Sequence, residues 1–157
     1  MVVDLRAVGK TYVRGTREVA ALENLTLTVD EGEAVAIMGP SGSGKSTLLS
    51  ILGCLDRPTR GEYHLDGTLV STLDDDALSH IRNRRIGFVF QAFHLIPQLT
   101  VVENVETPLF YRGVSEADAR RRALLALGRV GLSHRAEHRP AELSGGEAQR
   151  AAIARAS

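Results

Sequence analysis

A glycine-rich segment early in the sequence carries residue types suited to holding phosphate. Residues 39–47 read GPSGSGKST, and their spacing matches G-x-x-x-x-G-K-S. An apolar run, AVAIM at 34–38, precedes the segment, and a helical pattern begins at Lys45. This is the strand–loop–helix setting that a phosphate loop requires. The sequence therefore predicts such a loop between a buried strand and a helix.

The chemistry of this phosphate loop follows from its residue types. Glycine lets the backbone approach an anion closely, and amides at a helix N-terminus favour negative charge. The Lys45 ammonium is expected to reach the β- and γ-phosphates of a nucleotide, and the Ser46 hydroxyl to ligate Mg²⁺. The residues expected to touch the nucleotide here are Gly39, Ser41, Gly42, Ser43, Gly44, Lys45, Ser46 and Thr47.

A second glycine-rich segment, LSGGE at 143–147, begins another helical pattern. Ser144 and Glu147 have the spacing of a capping box, so Ser144 is expected to cap a helix. Gly145 and Gly146 leave the first helical amides uncovered, which makes this helix start a second candidate phosphate site. The Glu147 carboxylate would disfavour a nearby phosphate, so we expect it to turn back toward the cap.

Hydrophobic periodicity places these two segments in a simple order of elements, with strands in the first 90 residues and helices after them. Strands are predicted at 2–8, 22–29, 34–38 and 86–90, with a hairpin at 61–73 that turns at Asp66-Gly67. Helices are predicted at 45–55, 74–85, from 101, from 115 to about 130, and from 144.

The composition limits the function classes. Lys and Arg total 19, as do Asp and Glu, so the 157-residue chain has no positive surplus for sequence-independent nucleic-acid binding. The single cysteine, Cys54, is expected to be a small buried residue and fits a reducing compartment. The N-terminus lacks a basic start followed by an apolar run, and no stretch approaches a membrane span. We therefore expect a cytoplasmic protein that reaches a membrane only through partners.

Together with the FQ pair at 90–91, the segments GPSGSGKST and LSGGEAQRAAIARA resemble the ATP-binding subunit of ABC transporters. The resemblance covers essentially the whole chain and looks strongest to the subgroup that drives macrolide export and lipoprotein release. It implies an α/β fold, with a RecA-like P-loop NTPase core, an N-terminal antiparallel β part and an α-helical subdomain. The implied boundaries are 1–91 for the β part and core, 92–142 for the helical subdomain, and 143–157 for the signature segment and the start of its helix.

The resemblance also implies roles for individual residues. Tyr12 would stack on adenine, and Gln91 would contact Mg²⁺ and the attacking water, with Lys45 as the other catalytic residue. Ser144, Gly145 and Gly146 would face the ATP of a second copy, so that a homodimer encloses two nucleotides. The implied cofactors are ATP and Mg²⁺. The implied partners are the second ATP-binding subunit and transmembrane permease subunits at the inner face of the cell membrane.

The sequence departs from the family pattern after the signature segment. The family continues there with an apolar strand ending in Asp-Glu and later a switch histidine, which this sequence lacks. The only apolar run with that ending is LTLTVDE, which precedes the phosphate loop and is interpreted as a strand and its turn. We therefore expect the N-terminal part of such a domain, without the C-terminal part of its sheet. An unpaired segment 34–38, marginal folding and negligible ATP hydrolysis by the chain alone would follow.

Two other functions remain open. A P-loop kinase or nucleotide-modifying enzyme would share the phosphate loop but leaves LSGGE unexplained. A non-catalytic ATP-binding remnant would explain the missing Asp-Glu pair, and it would bind ATP without turnover.

Overall fold

The structure, a computed structural model, describes residues 1–157 except for the side chain of Arg14. The chain divides into two compact units, Met1–Arg82 and Asn83–Ser157. The first unit contains the sheet and the phosphate loop. The second contains the helices that precede and include the signature segment.

The sheet of the first unit has four antiparallel strands in the order β2-β1-β3-β4. The strands are β1 (Val3–Arg14), β2 (Arg17–Val29), β3 (Arg60–Leu65) and β4 (Thr68–Leu69). Leu5 lies at the centre of the sheet, opposite Leu27 on β2 and Tyr63 on β3. The end of β2 alternates between half-buried and exposed residues, as the sequence predicts for 22–29. The predicted antiparallel β part is therefore confirmed, with longer strands.

The turn between β3 and β4 is formed by Asp66 and Gly67, as predicted. Both have positive φ, 48° and 75°, which is the backbone of a two-residue type I′ hairpin. The amide of Val70 donates to the carbonyl of Tyr63 across this hairpin at 2.8 Å.

Five helices are found where helical patterns are predicted, with ends that differ by a few residues. They are α1 (Lys45–Leu52), α2 (Asp75–Arg85), α3 (Val101–Tyr111), α4 (Glu116–Arg129) and α5 (Gly145–Ala156). Short 3₁₀ turns lie at Ser133–Arg135 and Pro140–Glu142. Among the described residues, no helix combines the length and apolar character needed to cross a membrane.

Helices α3, α4 and α5 pack around an apolar core in the second unit. Val101, Ala123, Leu127, Leu132 and Ala151 are fully buried in it. The capping box predicted at Thr100 and Glu103 starts α3, with Thr100 accepting from the Glu103 amide. Ser115 occupies the N-cap position of α4, but its side chain makes no hydrogen bond to the first amides of the helix.

The buried strands predicted from the apolar runs at 34–38 and 86–90 are wrong, whereas the unpaired state expected for 34–38 in a domain without the C-terminal part of its sheet is confirmed. Neither segment pairs with a strand among the residues that the structure describes. Val35 and Met38 are 46% and 88% exposed, because an apolar run becomes a buried strand only where neighbouring strands accept its N–H and C=O groups. The rings of Phe88 and Phe90 instead pack on each other, with centroids 4.5 Å apart.

Candidate nucleotide-binding site

The phosphate loop leads directly into α1, and glycine conformation sets its path. Gly42 and Gly44 have φ of 83° and 85°, a left-handed backbone that side chains with a Cβ rarely adopt. A Cβ at Gly44 would lie 2.4 Å from the carbonyl oxygen of Ala21 and 2.8 Å from a methyl of Leu22. The start of α1 thus lies against β2 at a distance that only glycine permits.

The side chain of Lys45 folds back across the loop. Its ammonium donates to the carbonyls of Gly39 at 2.8 Å and Pro40 at 2.6 Å, with the Ser43 hydroxyl at 3.3 Å. The amide of Ser43 donates to the Pro40 carbonyl at 3.3 Å, which closes the turn. The positive charge of Lys45 therefore lies against the first two residues of the loop, Gly39 and Pro40.

The amides at the start of α1 are available to a ligand. The amide of Leu48 is the first to donate into the helical pattern, to the Gly44 carbonyl at 2.9 Å. The preceding amides, from Gly44 to Thr47, have no acceptor among the described residues, as expected at a helix N-terminus. The exposed Ser46 hydroxyl adds an oxygen donor of the kind that Mg²⁺ prefers. A phosphate with its magnesium ion fits this donor set.

Tyr12 on β1 belongs to a small polar cluster beside the loop. Its hydroxyl donates to Asp56 at 2.7 Å, and the Lys10 ammonium donates to the same carboxylate at 2.5 Å. Partial burial and the Asp56 carboxylate raise the pKa of Tyr12, and they outweigh the lowering by the Thr47 hydrogen bond from α1. Burial would raise the pKa of Asp56, but the hydrogen bonds from Lys10 and Tyr12 outweigh it and hold that pKa below its usual value.

The signature segment caps α5 as predicted. The Ser144 hydroxyl accepts from the Glu147 amide, and the Glu147 carboxylate accepts from the Ser144 amide at 2.8 Å. These Ser144 donors, followed by the guanidinium of Arg135, lower the pKa of Glu147 to about 2. The carboxylate therefore turns back toward the cap, which confirms the expectation for Glu147.

The glycine pair of the signature is open to solvent. A Cβ at Gly145 would meet no atom within 4 Å, and one at Gly146 would meet only the Arg150 guanidinium, at 3.6 Å. Both glycines are exposed, as is Ser144. A ligand could reach the first amides of α5 from this side.

Gln91 lies in an exposed turn of the second unit, after the segment 86–90.

Sequence reasoning did not single out Lys10, Asp56 or Arg135, whose side chains hydrogen-bond to Tyr12, Glu147 or each other. Their contacts join positions far apart in sequence, such as Tyr12 with Asp56, and no local spacing marks them.

Cys54 is buried, as expected, with 3% of the residue exposed, and this burial raises the pKa of its thiol.

An amide-lined loop closed by a lysine at the start of a helix defines a P-loop nucleotide-binding protein. The family model described as ABC transporter matches residues 22–157, and the chain belongs to this family. The family assignment from the phosphate loop and LSGGE is thereby confirmed.

Curated relatives agree with the family match. An uncharacterized ABC transporter ATP-binding protein, YvrO of Bacillus subtilis, is 54% identical over 97% of this chain and 66% of its own length. The macrolide export ATP-binding/permease protein MacB of Burkholderia pseudomallei is 49% identical over 98% of this chain and 24% of its own length. This chain thus spans about two thirds of the first relative and about a quarter of the second.

A solved structure has the same fold. The ATP-binding cassette MJ0796, in a dimeric post-hydrolysis state bound to ADP and Pi, superposes with a TM-score of 0.91 at 52% identity. The match covers 98% of this chain and 68% of that one. The predicted α/β fold class of a P-loop cassette is therefore confirmed.

Proposed function

We propose that this chain binds ATP with Mg²⁺ and forms part of a nucleotide-binding subunit whose ATP hydrolysis drives an ABC transporter. The observation that carries the proposal is the phosphate loop, which holds both the Lys45 ammonium and the unpaired amides at the start of α1. Family membership favours ATP over other nucleotides.

In the proposed complex, the phosphate loop holds the triphosphate. The amides of Gly44 to Thr47 donate to the phosphate oxygens, and Lys45 exchanges its carbonyl contacts at Gly39 and Pro40 for β- and γ-phosphate oxygens. The rest of the loop places its backbone around the anion, and the residues proposed for this role are Gly39, Ser41, Gly42 and Ser43. Tyr12 stacks on the adenine ring, with its orientation set by Asp56.

The residues proposed to hold Mg²⁺ are Ser46 and Gln91. When bound, the ion supplies positive charge that stabilises the phosphoryl group during transfer. Ser46 offers its hydroxyl from the first turn of α1, and Gln91 offers an exposed amide oxygen that can also orient water. Catalysis in this proposal depends mainly on positioning and charge stabilisation, with Lys45 as the principal cation.

The signature segment is proposed to serve a second copy of the chain. Ser144, Gly145 and Gly146 start a capped helix whose first amides are open to a ligand. Donation to the γ-phosphate held by the other copy would make association depend on ATP. The dimeric state of the related solved cassette supports the association of two copies.

Permease partners are proposed from the relatives. MacB is named as a macrolide export ATP-binding/permease protein, so the proposed counterpart here is a transmembrane permease partner, supplied separately or in the same chain. The protein would then lie at the cytoplasmic face of the membrane through that partner.

Sedimentation velocity and phosphate release test this proposal. The full-length protein, meaning the nucleotide-binding subunit of which this chain is proposed to form part, should associate in the presence of MgATP and not of ADP. It should also release phosphate. Gly146→Asp should still bind ATP but lose both association and turnover, because a carboxylate would occupy the phosphate position. Gly128→Asp, a change at an exposed glycine in α4, is the control. ATP binding without association or turnover would favour a non-catalytic ATP-binding protein, and phosphate transfer to another acceptor would favour a kinase.

The expectation that the chain of 157 residues alone hydrolyses ATP negligibly stays a prediction. The same phosphate-release assay on this chain tests it, and ordinary turnover would contradict it.

A further inference from the structure

We propose that Arg135 is a positioning residue for the signature helix: it holds the Glu147 carboxylate turned back onto Ser144 and balances its charge, so that the amides of Gly145 and Gly146 accept an anionic phosphate. The inference rests on the proposed role of the signature segment. It adds the residue that makes a glutamate at position 147 compatible with that role.

The Glu147 carboxylate is held by donors to both of its oxygens. The Arg135 Nε donates to Oε1 at 2.9 Å, while the Ser144 amide and hydroxyl each donate to Oε2 at 2.8 Å. The Glu147 side chain is only 14% exposed as a result. Swinging the carboxylate toward the glycine amides would break all three of these charge-assisted hydrogen bonds.

Arg135 is itself held from the other side. Its Nη1 lies 3.1 Å from Nε2 of His138. The backbone of this segment accepts from the first amides of α3, with Val101 donating to His138 at 2.8 Å and Val102 to Ala136 at 2.9 Å. The backbone that follows Arg135 is therefore bonded to the start of α3, while the guanidinium itself contacts Glu147 and His138.

The contact between Arg135 and Glu147 matters for function because Glu147 carries a negative charge. An ionised carboxylate within one turn of the helix start opposes a second anion there, and the opposition grows as the site loses water. A guanidinium bound to that carboxylate offsets its charge. A lysine could supply charge but not the two-sided geometry, because only the planar fork can meet Glu147 and His138 together.

The competing interpretation is that Arg135 only braces the 3₁₀ turn in which it lies. The two interpretations differ in one respect. If Arg135 acts through the Glu147 charge, its removal should matter only while that charge is present. If it only braces the turn, its removal should cost the same with glutamate or glutamine at position 147.

A double-mutant cycle in the full-length protein tests the inference with Arg135→Gln, Glu147→Gln and the double variant. For each protein, kcat with MgATP, the Kd for ATP and the thermal midpoint are measured. Arg135→Gln should lower kcat about tenfold in the wild-type background, the size of one charge-assisted hydrogen bond, and change the Kd by less than about twofold. In the Glu147→Gln background the same change should lower kcat by less than about twofold. Arg135→Lys should recover part of the loss in kcat because it restores the positive charge. It also serves as a control in case Arg135→Gln fails to fold.

Equal losses in the two backgrounds, or no loss in either, would overturn the role of Arg135 while leaving the proposed function intact. A wild-type protein that binds no ATP and neither associates nor turns over with MgATP would overturn both. The wild-type measurement thus separates the two failures.

Discussion

The hydroxyl of Tyr12 donates a 2.7 Å hydrogen bond to the carboxylate of Asp56, which joins β1 to the segment after the phosphate-loop helix. The Lys10 ammonium lies 4.9 Å from the centre of the Tyr12 ring and also donates to the Arg57 carbonyl at 2.7 Å. A ring held at its edge and covered by a cation on one face has its orientation fixed before a base arrives. If adenine stacks on this ring as proposed, less conformational entropy is lost on binding.

Tyr12→Ala should weaken ATP binding without unfolding the protein. Stacking of a base on an aromatic ring contributes about 1–3 kcal/mol, so the Kd should rise by about fivefold to 150-fold. A fluorescent ATP analogue measures this change. Tyr111→Ala removes a tyrosine that is 74% exposed and is the matched control. Equal affinities for the two variants would contradict the role of Tyr12.

Gly44→Ala should destabilise the first unit more than Gly32→Ala. Both glycines have left-handed backbones, with φ of 85° and 77°, which costs a substituted alanine about 1–2 kcal/mol. Only at Gly44 would the new Cβ also overlap the Ala21 carbonyl, which adds about 1–3 kcal/mol. Urea denaturation compares the two variants, and equal losses would show that the loop does not lie against β2 as described.

Asn104→Ala should be among the most destabilising changes in the second unit. The buried Asn104 amide accepts from the Ile96 amide at 2.6 Å and donates to the carbonyls of Ile96, Leu99 and Thr100. Removing it leaves several of these groups unsatisfied, which should cost more than about 2 kcal/mol. The exposed Gln98 provides the control, and its alanine variant should stay within about 0.5 kcal/mol of wild type. Similar midpoints in urea would contradict the account.

The charge on Glu147 should stabilise the protein in a pH-dependent way. The Ser144 donors and Arg135 lower the pKa of Glu147 from 4.5 to about 2 in the folded protein. A lowered pKa stabilises the fold above the unfolded value, so the contribution is complete above pH 4.5 and fades as the pH falls toward about 2. The difference in unfolding free energy between wild type and Glu147→Gln should shrink over that range. A difference that stays constant through it would show that the carboxylate is not held by these donors.

Much of the fold could be predicted because its signals are local. The Thr100 and Ser144 caps, the Asp66-Gly67 turn and the alternation near Leu25 each depend on residues a few positions apart. The same reasoning failed for 34–38, where five apolar residues predict a buried strand. Burial there depends on neighbouring strands, and a local pattern cannot reveal whether those strands are present.

In the candidate site, too, the residues marked by local spacing could be predicted and those placed by long-range contacts could not. The spacing within one loop predicts Gly44, Lys45 and Ser46 as site residues, and the distance to a cap predicts the orientation of Glu147. Arg135 and Asp56 were not found, because each contacts a residue at least twelve positions away, and no sequence period relates the partners. The residues that follow Arg135, at 136–138, are bonded to the start of α3, and this tertiary contact has no counterpart in the local sequence pattern.

The most direct test of the account is a titration of the full-length protein with a fluorescent ATP analogue and Mg²⁺, in wild type, Lys45→Ala and Arg17→Ala. Arg17 is an exposed cation at the start of β2 and controls for general charge loss. The account predicts saturable binding to wild type and Arg17→Ala. It predicts at least about a tenfold weaker Kd for Lys45→Ala, since a phosphate would lose a charge-assisted hydrogen bond. Binding of equal strength in all three proteins, or no binding to wild type, would contradict the claim that residues 39–47 hold the phosphates.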